Sequence, residues 1–182
     1  MRTEFRLSGS GGQGLLLAGI VLAEAAILDD KNAVQTQSYG PEARGGSSKA
    51  EVVISELDID YPKATDPDYL LALTADAYKT YGKLQGKGLI IVDSSVTLDP
   101  AIKARTTSVP ILETTAKVGK MIVTNIVALG VLGGLSGIVK PETLEKAVLN
   151  RVPKGTEELN LKALRAGFEL AAQAQRSGGQ DR

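Results

Sequence analysis

The chain has 182 residues, 43% of them hydrophobic and 23% charged, enough for one domain with a sizeable core. Its 21 basic residues balance 21 acidic ones, so no overall field draws it to nucleic acid. It has no cysteine, histidine or tryptophan, which excludes disulfides, thiolate-held iron–sulfur clusters and a thiol nucleophile, and removes the commonest general base and metal ligand.

Thr3–Ser8 reads as a short strand that runs into "GSGGQG", Gly9–Gly14. Gly14–Leu28 is rich in strong helix formers. It is apolar almost all round, with Glu24 its only charge. Such a helix is buried on every side; a sheet covers one face, so a second chain is expected over the rest. The same region imitates a secretory signal, with Arg2 and Arg6 ahead of Leu15–Leu22 and "AEA" after it. The glycine-rich polar stretch between charges and apolar run argues against that reading, and a cytoplasmic location is expected.

Ala33–Tyr39 and Lys49–Ser55 read as two strands joined by "GPEARGGSS". The second alternates, Ala50, Val52 and Ile54 on one face and Lys49, Glu51 and Val53 on the other. A short apolar strand over Asp68–Thr74, a helix through "ADAYKTYGKL" and a buried strand ending at Asp93 follow. Continuous apolar runs of this kind suit a sheet covered on both faces. "SVPILET" supplies one more strand.

Met121–Val139 is uncharged and about long enough to span a bilayer. Its spacings Gly130-x-x-x-Gly134 and Gly133-x-x-x-Gly137 would let helices approach closely. The favoured reading is a buried helix around Asn125 whose carboxyl-terminal part unwinds, with no membrane role. Pro141 opens the next helix, and "TEELNLKALRAGFELAAQA" forms a long final one. Strands alternating with helices predict an α/β fold: a three-layer α/β/α, Rossmann-like domain over residues 1–175 with a mostly parallel sheet. Residues 176–182 are expected to be a disordered tail.

The glycine turn has the spacing Gly9-x-Gly11-x-x-Gly14 between strand and helix, the context of a dinucleotide fingerprint. Glycines let backbone N–H groups approach an anion, and the helix amino terminus adds its positive end. An NAD site also wants an acidic residue at the end of the second strand. Gln37 and Ser38 stand there, Asp29 and Asp30 come too early, and Glu42 lies in the loop beyond. A tight turn packing helix on sheet explains the glycines equally well, while the Gln13 amide favours a ligand or a neighbouring subunit. In the loop Ser38–Ser48, Gly40, Gly45 and Gly46 free the backbone, Pro41 stiffens it, and Tyr39 and Arg44 offer a ring and a guanidinium.

"GSGGQG" before an Ala/Leu-rich helix, followed by "SYGPEARGG", resembles the gamma subunit of 2-oxoacid:ferredoxin oxidoreductases. The likeness extends to "GLIIVDSS", to Asn125 ahead of "ALG", and to "ELNLKALRAGFELA" with Asn160. The chain is most similar to the gamma subunits of the 2-oxoglutarate enzymes, with the pyruvate, ketoisovalerate and indolepyruvate enzymes as close relatives. The resemblance implies the domain III-like fold of pyruvate:ferredoxin oxidoreductase and a multisubunit assembly that converts a 2-oxoacid, here 2-oxoglutarate, to its acyl-CoA and passes electrons to ferredoxin. It implies alpha and beta subunits and a ferredoxin-like delta subunit as partners. Thiamine diphosphate, magnesium, iron–sulfur clusters and coenzyme A serve the complex, with no metal, no bound cofactor and no catalytic residue on this chain. The expected ligand-binding or docking surface comprises Gly9, Gly11, Gly12, Gln13 and Gly14 with Tyr39, Gly40, Pro41, Glu42, Arg44, Gly45, Gly46 and Ser47, supported by Asn125. It would contact the phosphates of coenzyme A or seat the alpha and beta subunits. A stand-alone dinucleotide-binding oxidoreductase and a structural homo-oligomeric module are the competing readings.

Overall fold

Arg2–Ser10 forms β1, the strand around which the sheet is built. Its odd-numbered Phe5 and Leu7 are fully buried on one face, and Glu4, Arg6 and Ser8 are buried on the other, so both faces are covered. The structure, a computed structural model, describes residues 1–38, 47–84 and 86–178. After β1 come α1 (Leu15–Leu28), β2 (Asn32–Ser38), β3 (Ser47–Ser55), β4 (Tyr69–Ala72), α2 (Ala75–Tyr81), β5 (Leu89–Asp93) and β6 (Thr106–Val109). Four helices complete the chain: α3 (Ile111–Val118), α4 (Thr124–Ser136), α5 (Pro141–Arg151) and α6 (Glu157–Gly178).

The six strands lie in the order β2-β3-β1-β4-β5-β6. The pairs β1–β4, β4–β5 and β5–β6 are parallel. β3 runs antiparallel to both β1 and β2. The expected α/β architecture with a mostly parallel sheet is thus present. The alternation expected for Lys49–Ser55 holds in the register, which sets Phe5 opposite Val52 and Arg6 opposite Glu51.

On one face α1, α4 and α6 cover the apolar side of the strands, with α3 and α5 packed on them. The other face carries α2 over a smaller core of Leu70, Ile90, Val92 and Tyr78. There Arg6 Nε donates to Glu51 Oε1 at 2.9 Å with both side chains 9% exposed. Arg6 also donates to the Ala64 carbonyl at 2.8 Å, so the guanidinium keeps hydrogen-bond partners after leaving water.

Several boundaries differ from those expected of the sequence. β1 reaches Ser10, so Gly9 belongs to the strand and the turn proper begins at Gly11. In "SVPILET" only Val109 and the residues before it are strand, and Ile111 starts α3. α6 continues through Gly178 and takes in the first residues of the expected tail. The uncharged stretch does not unwind: α4 stays helical through Ser136 and closes on Gly137 in a left-handed conformation, φ 59°. Its glycines admit α6 instead. A Cβ on Gly130 would fall 2.2 Å from the Leu164 carbonyl oxygen, and one on Gly167 would fall 2.2 Å from that of Val127. No helix of the described residues is long and apolar enough to cross a membrane.

The cover over α1 comes from its own chain: α5 and α4 lie on the helix opposite the sheet. Glu24 accepts from Asn150 at 2.9 Å and from Arg151. Asp29 accepts from the Lys140 amide at 2.8 Å and from the Thr143 hydroxyl at 2.7 Å. Only Ile27 and Leu28, at the helix's last turn, remain exposed among its large apolar side chains.

Candidate functional site

The glycine turn sits where β1 ends, at the carboxyl edge of the parallel strands, beside the carboxyl end of β4. The chain leaves β1 toward one sheet edge and leaves β4 toward the other, which makes this the switch point at which open α/β sheets place ligands. Two glycines shape the turn by conformation: Gly12 at φ 83° and Gly14 at φ 71°. Gly9 shapes it by space. Gln13 folds back so that its Oε1 accepts from the Ser10 amide at 2.8 Å, and a Cβ on Gly9 would meet that oxygen at 2.2 Å. The amide oxygen of Gln13 is therefore committed to the turn.

Gly14 caps α1 without a side-chain hydrogen bond, and the first turn of α1 carries no acidic residue. The amino-terminal N–H groups of this 14-residue helix have no capping side chain, and its dipole leaves them positive. Across the turn, Asn125 Nδ2 donates to the Gly14 carbonyl at 3.1 Å. Asn125 therefore stands beside the turn, at the start of α4.

The described flanks of the second motif, the end of β2 and the start of β3, lie at the same end of the sheet as the glycine turn, but β2 is not its neighbour. β3 lies between β1 and β2, and the hairpin that joins β2 to β3 places its base against the end of β1. Ser47 pairs with Ser10 and Ser48 with Gly9. The Ser8 hydroxyl donates to the Ser48 carbonyl at 3.0 Å. Of the remaining hairpin candidates, Tyr39, Gly40, Pro41, Glu42, Arg44, Gly45 and Gly46 lie outside the described residues. The intervening strand also weakens a dinucleotide reading. The second strand's end, with Gln37 and Ser38, is displaced by one strand from the turn it would have to serve.

A cleft of about 270 Å³ opens beside the turn. Gly12, Gly14 and Leu17 form one side, Ile122, Val123 and Asn125 a second, and the start of α6 with the segment before it a third. It brings in Asn160, a residue to which the sequence alone assigns no role. Asn160 is 6% exposed, and its Nδ2 donates to the Thr156 carbonyl at 2.9 Å and the Thr156 hydroxyl at 3.0 Å. At the rim, Met121 and Ile122 project from a 3-10 turn ahead of α4, with Ile122 82% exposed. That exposure carried no signal in the sequence, where both residues merge into a longer apolar run.

No group of three or more Asp, Glu, His or Cys side chains among the described residues could hold a metal ion. The chain has no cysteine, so it offers no thiolate to ligate an iron–sulfur cluster.

The family model for pyruvate ferredoxin/flavodoxin oxidoreductase matches residues 4–170. A 2-oxoglutarate synthase subunit KorC of Methanocaldococcus jannaschii is 50% identical over 177 residues, 94% of this chain and 95% of the relative. The crystal structure of a keto/oxoacid ferredoxin oxidoreductase gamma subunit from Geobacter sulfurreducens superposes with a TM-score of 0.86 at 48% identity, covering 96% of this chain and 98% of that one. A 2-oxoglutarate:ferredoxin oxidoreductase from Magnetococcus marinus shares the fold at a TM-score of 0.82 and 22% identity, over 94% of this chain and 31% of its own. The chain belongs to the pyruvate ferredoxin/flavodoxin oxidoreductase family, among its gamma subunits.

Proposed function

We propose that this chain is the gamma subunit of a 2-oxoglutarate:ferredoxin oxidoreductase and that the carboxyl end of its sheet docks the alpha and beta subunits. The half-identical methanogen relative, a 2-oxoglutarate synthase subunit, supports the choice of 2-oxoacid. The observation that carries the docking role is Ile122, an isoleucine 82% exposed beside a glycine turn. A large apolar side chain held in water gains free energy when a partner covers it, and obligate interfaces are built from such groups. The complex's iron–sulfur clusters then lie on the partners, because this chain has no cysteine to ligate them. Its own contribution is a shaped surface.

The experiment is co-expression of Ile122→Asp with the other subunits, followed by affinity capture of the complex. The expected result is loss of alpha and beta subunits from the capture, with the thermal midpoint of the isolated chain unchanged. Full assembly of the variant overturns the docking role.

The uncapped amino end of α1 favours a second reading of the same surface, in which it receives a phosphate of coenzyme A. Arg44→Ala separates the two. Weakened assembly supports docking by the loop. Intact assembly with a raised KM for coenzyme A assigns Arg44 to the cofactor.

A further inference from the structure

We propose that β2, the open edge of the sheet, pairs antiparallel with β2 of a second copy of this chain, so that two sheets join into one across a two-fold axis at Val34. The proposal does not rest on the docking role given to Ile122.

Backbone direction is the starting point. The N–H and C=O groups of successive residues point to opposite sides of a strand. The Ser8 carbonyl accepts from the Leu73 amide at 2.9 Å, on the β4 side of β1, so Leu7 and Phe5 turn their backbone groups to β3. They stand opposite Ala50 and Val52, which leaves Glu51 and Val53 facing β2, opposite Thr36 and Val34. The same alternation points the N–H and C=O groups of Ala33 and Gln35 out of the sheet. Among the described residues nothing pairs with them. The opposite edge is blunted. β6 has four residues, Pro110 follows it, and the Thr106 amide already donates to the Lys103 carbonyl. β2 has seven residues and carries no proline and no charge, so it lacks the devices that keep an edge from pairing.

The surface along this edge is complementary to itself. A two-fold interface sets one patch against the same patch, so a charge on it would meet its own like; the strand "NAVQTQS" has none to repel a copy. Centred on Val34, the pairing sets Ala33 opposite Gln35 of the second copy. Every outward group of the two residues then gains an interchain partner, and the two Val34 side chains meet on one face. On the other face α1 flanks the edge. Its Gly19 packs over Gln35, Ala50 and Val52, and α4 and α5 take up two further sides of the helix. The side left over lies above β2. Along it run Leu16 and Ile20, both half-buried, and Ile27, 58% exposed. The two-fold brings this apolar stripe against its copy, and covering it favours association. Exposure is greatest at Ile27, beside the first residues of β2, which is the end of the strand that the axis at Val34 favours.

The chain has no cysteine, so a single introduced thiol reports on its own position alone. Opposed residues of a non-hydrogen-bonded antiparallel pair stand about 4.5 Å apart at Cα, within disulfide reach. The purified full-length Val34→Cys chain, oxidised with copper phenanthroline, is expected to run as a disulfide-linked dimer on a non-reducing gel. Ser108→Cys, exposed on the β6 edge, should stay monomeric. Sedimentation velocity of the unsubstituted chain should show a dimer. Gln35→Pro removes an outward N–H from each copy without touching the β2–β3 ladder, and should weaken dimerisation about tenfold or more. The thermal midpoint reports that its fold is kept; if it is not, Val34→Lys, which sets two ammonium groups face to face across the axis, makes the same measurement. A monomeric unsubstituted chain overturns the proposal, as does cross-linking at Ser108→Cys as complete as that at Val34→Cys. A dimer unaffected by the β2 substitutions overturns it too. A Val34→Cys thiol that becomes protected from maleimide only when the other subunits are added also overturns it, and gives the edge to one of them.

Discussion

Asn125 and Gly14, 111 residues apart in the chain, are joined by a hydrogen bond of 3.1 Å that ties the first turn of α4 to the residue that opens α1. The contact requires glycine twice over. Gly14 has φ 71°, and a Cβ there would stand 2.6 Å from Asn125 Nδ2. Gly14→Ala is expected to lower stability by about 2–4 kcal/mol, from left-handed backbone strain and from displacing Asn125. Urea unfolding of the two proteins measures it. A loss under about 1 kcal/mol would mean that the turn relaxes without cost.

The contact between α4 and α6 yields a second prediction with its own control. Gly130 and Gly167 bring the two helices together backbone to backbone, so the atoms that a methyl group would strike are carbonyl oxygens, which no rotamer change can move. Gly130→Ala should cost about 3 kcal/mol or more, despite the better helix propensity of alanine. A methyl group on Gly11 would meet no atom within 4 Å, and Gly11→Ala should stay within about 0.5 kcal/mol. Thermal or urea unfolding of the pair distinguishes helix-packing glycines from those that serve only the turn.

Much of this was legible in the sequence, and the parts that were not share a cause. Period-two and helical patterning located the strands and helices because those signals are local. The position of β3 was partly legible as well: the segment "GPEARGGSS" is too short to carry a parallel crossover, which leaves an antiparallel hairpin as the connection. What could not be read was which strand β3 would pair with on its other side. The unwinding expected of α4 follows from treating its glycines as weak helix formers; Gly167, on a different helix, is what makes them an asset. Asn160 shows the same limit. In sequence it is one polar residue in the first turn of a helix, and only the docking of α6 beside α1 and α4 brings it to the cleft with Asn125.

Asp93 makes a third case for test. It ends β5 at 1% exposure, where its two oxygens accept from the Ser95 amide and the Leu112 amide, both at 2.8 Å. One carboxylate thus fixes the turn after β5 and caps the amino end of α3, which has no cap of its own. Asp93→Ala leaves two N–H donors without their acceptor and is expected to cost about 2–4 kcal/mol. Asp93→Asn keeps one acceptor oxygen and should recover roughly half of that loss. Amide hydrogen exchange at Leu112, faster in Asp93→Ala than elsewhere in α3, would localise the effect; uniform acceleration along the chain would count against a capping role.

The clamp of α1 onto α5 gives the pH dependence. Burial opposes the charge on Glu24, but hydrogen bonds from Asn150 and Arg151 and the Arg151 charge outweigh it, holding the carboxyl below its usual range. At Asp29 burial is likewise outweighed, by the Lys140 amide, the Thr143 hydroxyl and the charges of Lys140 and Lys31. Both groups therefore bind protons less readily in the folded chain than in the unfolded one. Their stabilising contribution is full above the unfolded values of about 4.3 for Glu and 3.9 for Asp, and it is lost as pH falls through the lower folded values. The urea midpoint should accordingly hold steady near neutrality and drop as the pH falls below about 4.5. Glu24→Gln keeps an acceptor for Asn150 but has no proton to take up, so its midpoint should start lower at neutral pH and fall less steeply in acid. Parallel acid limbs for the two proteins would show that the Glu24 clamp does not govern the transition.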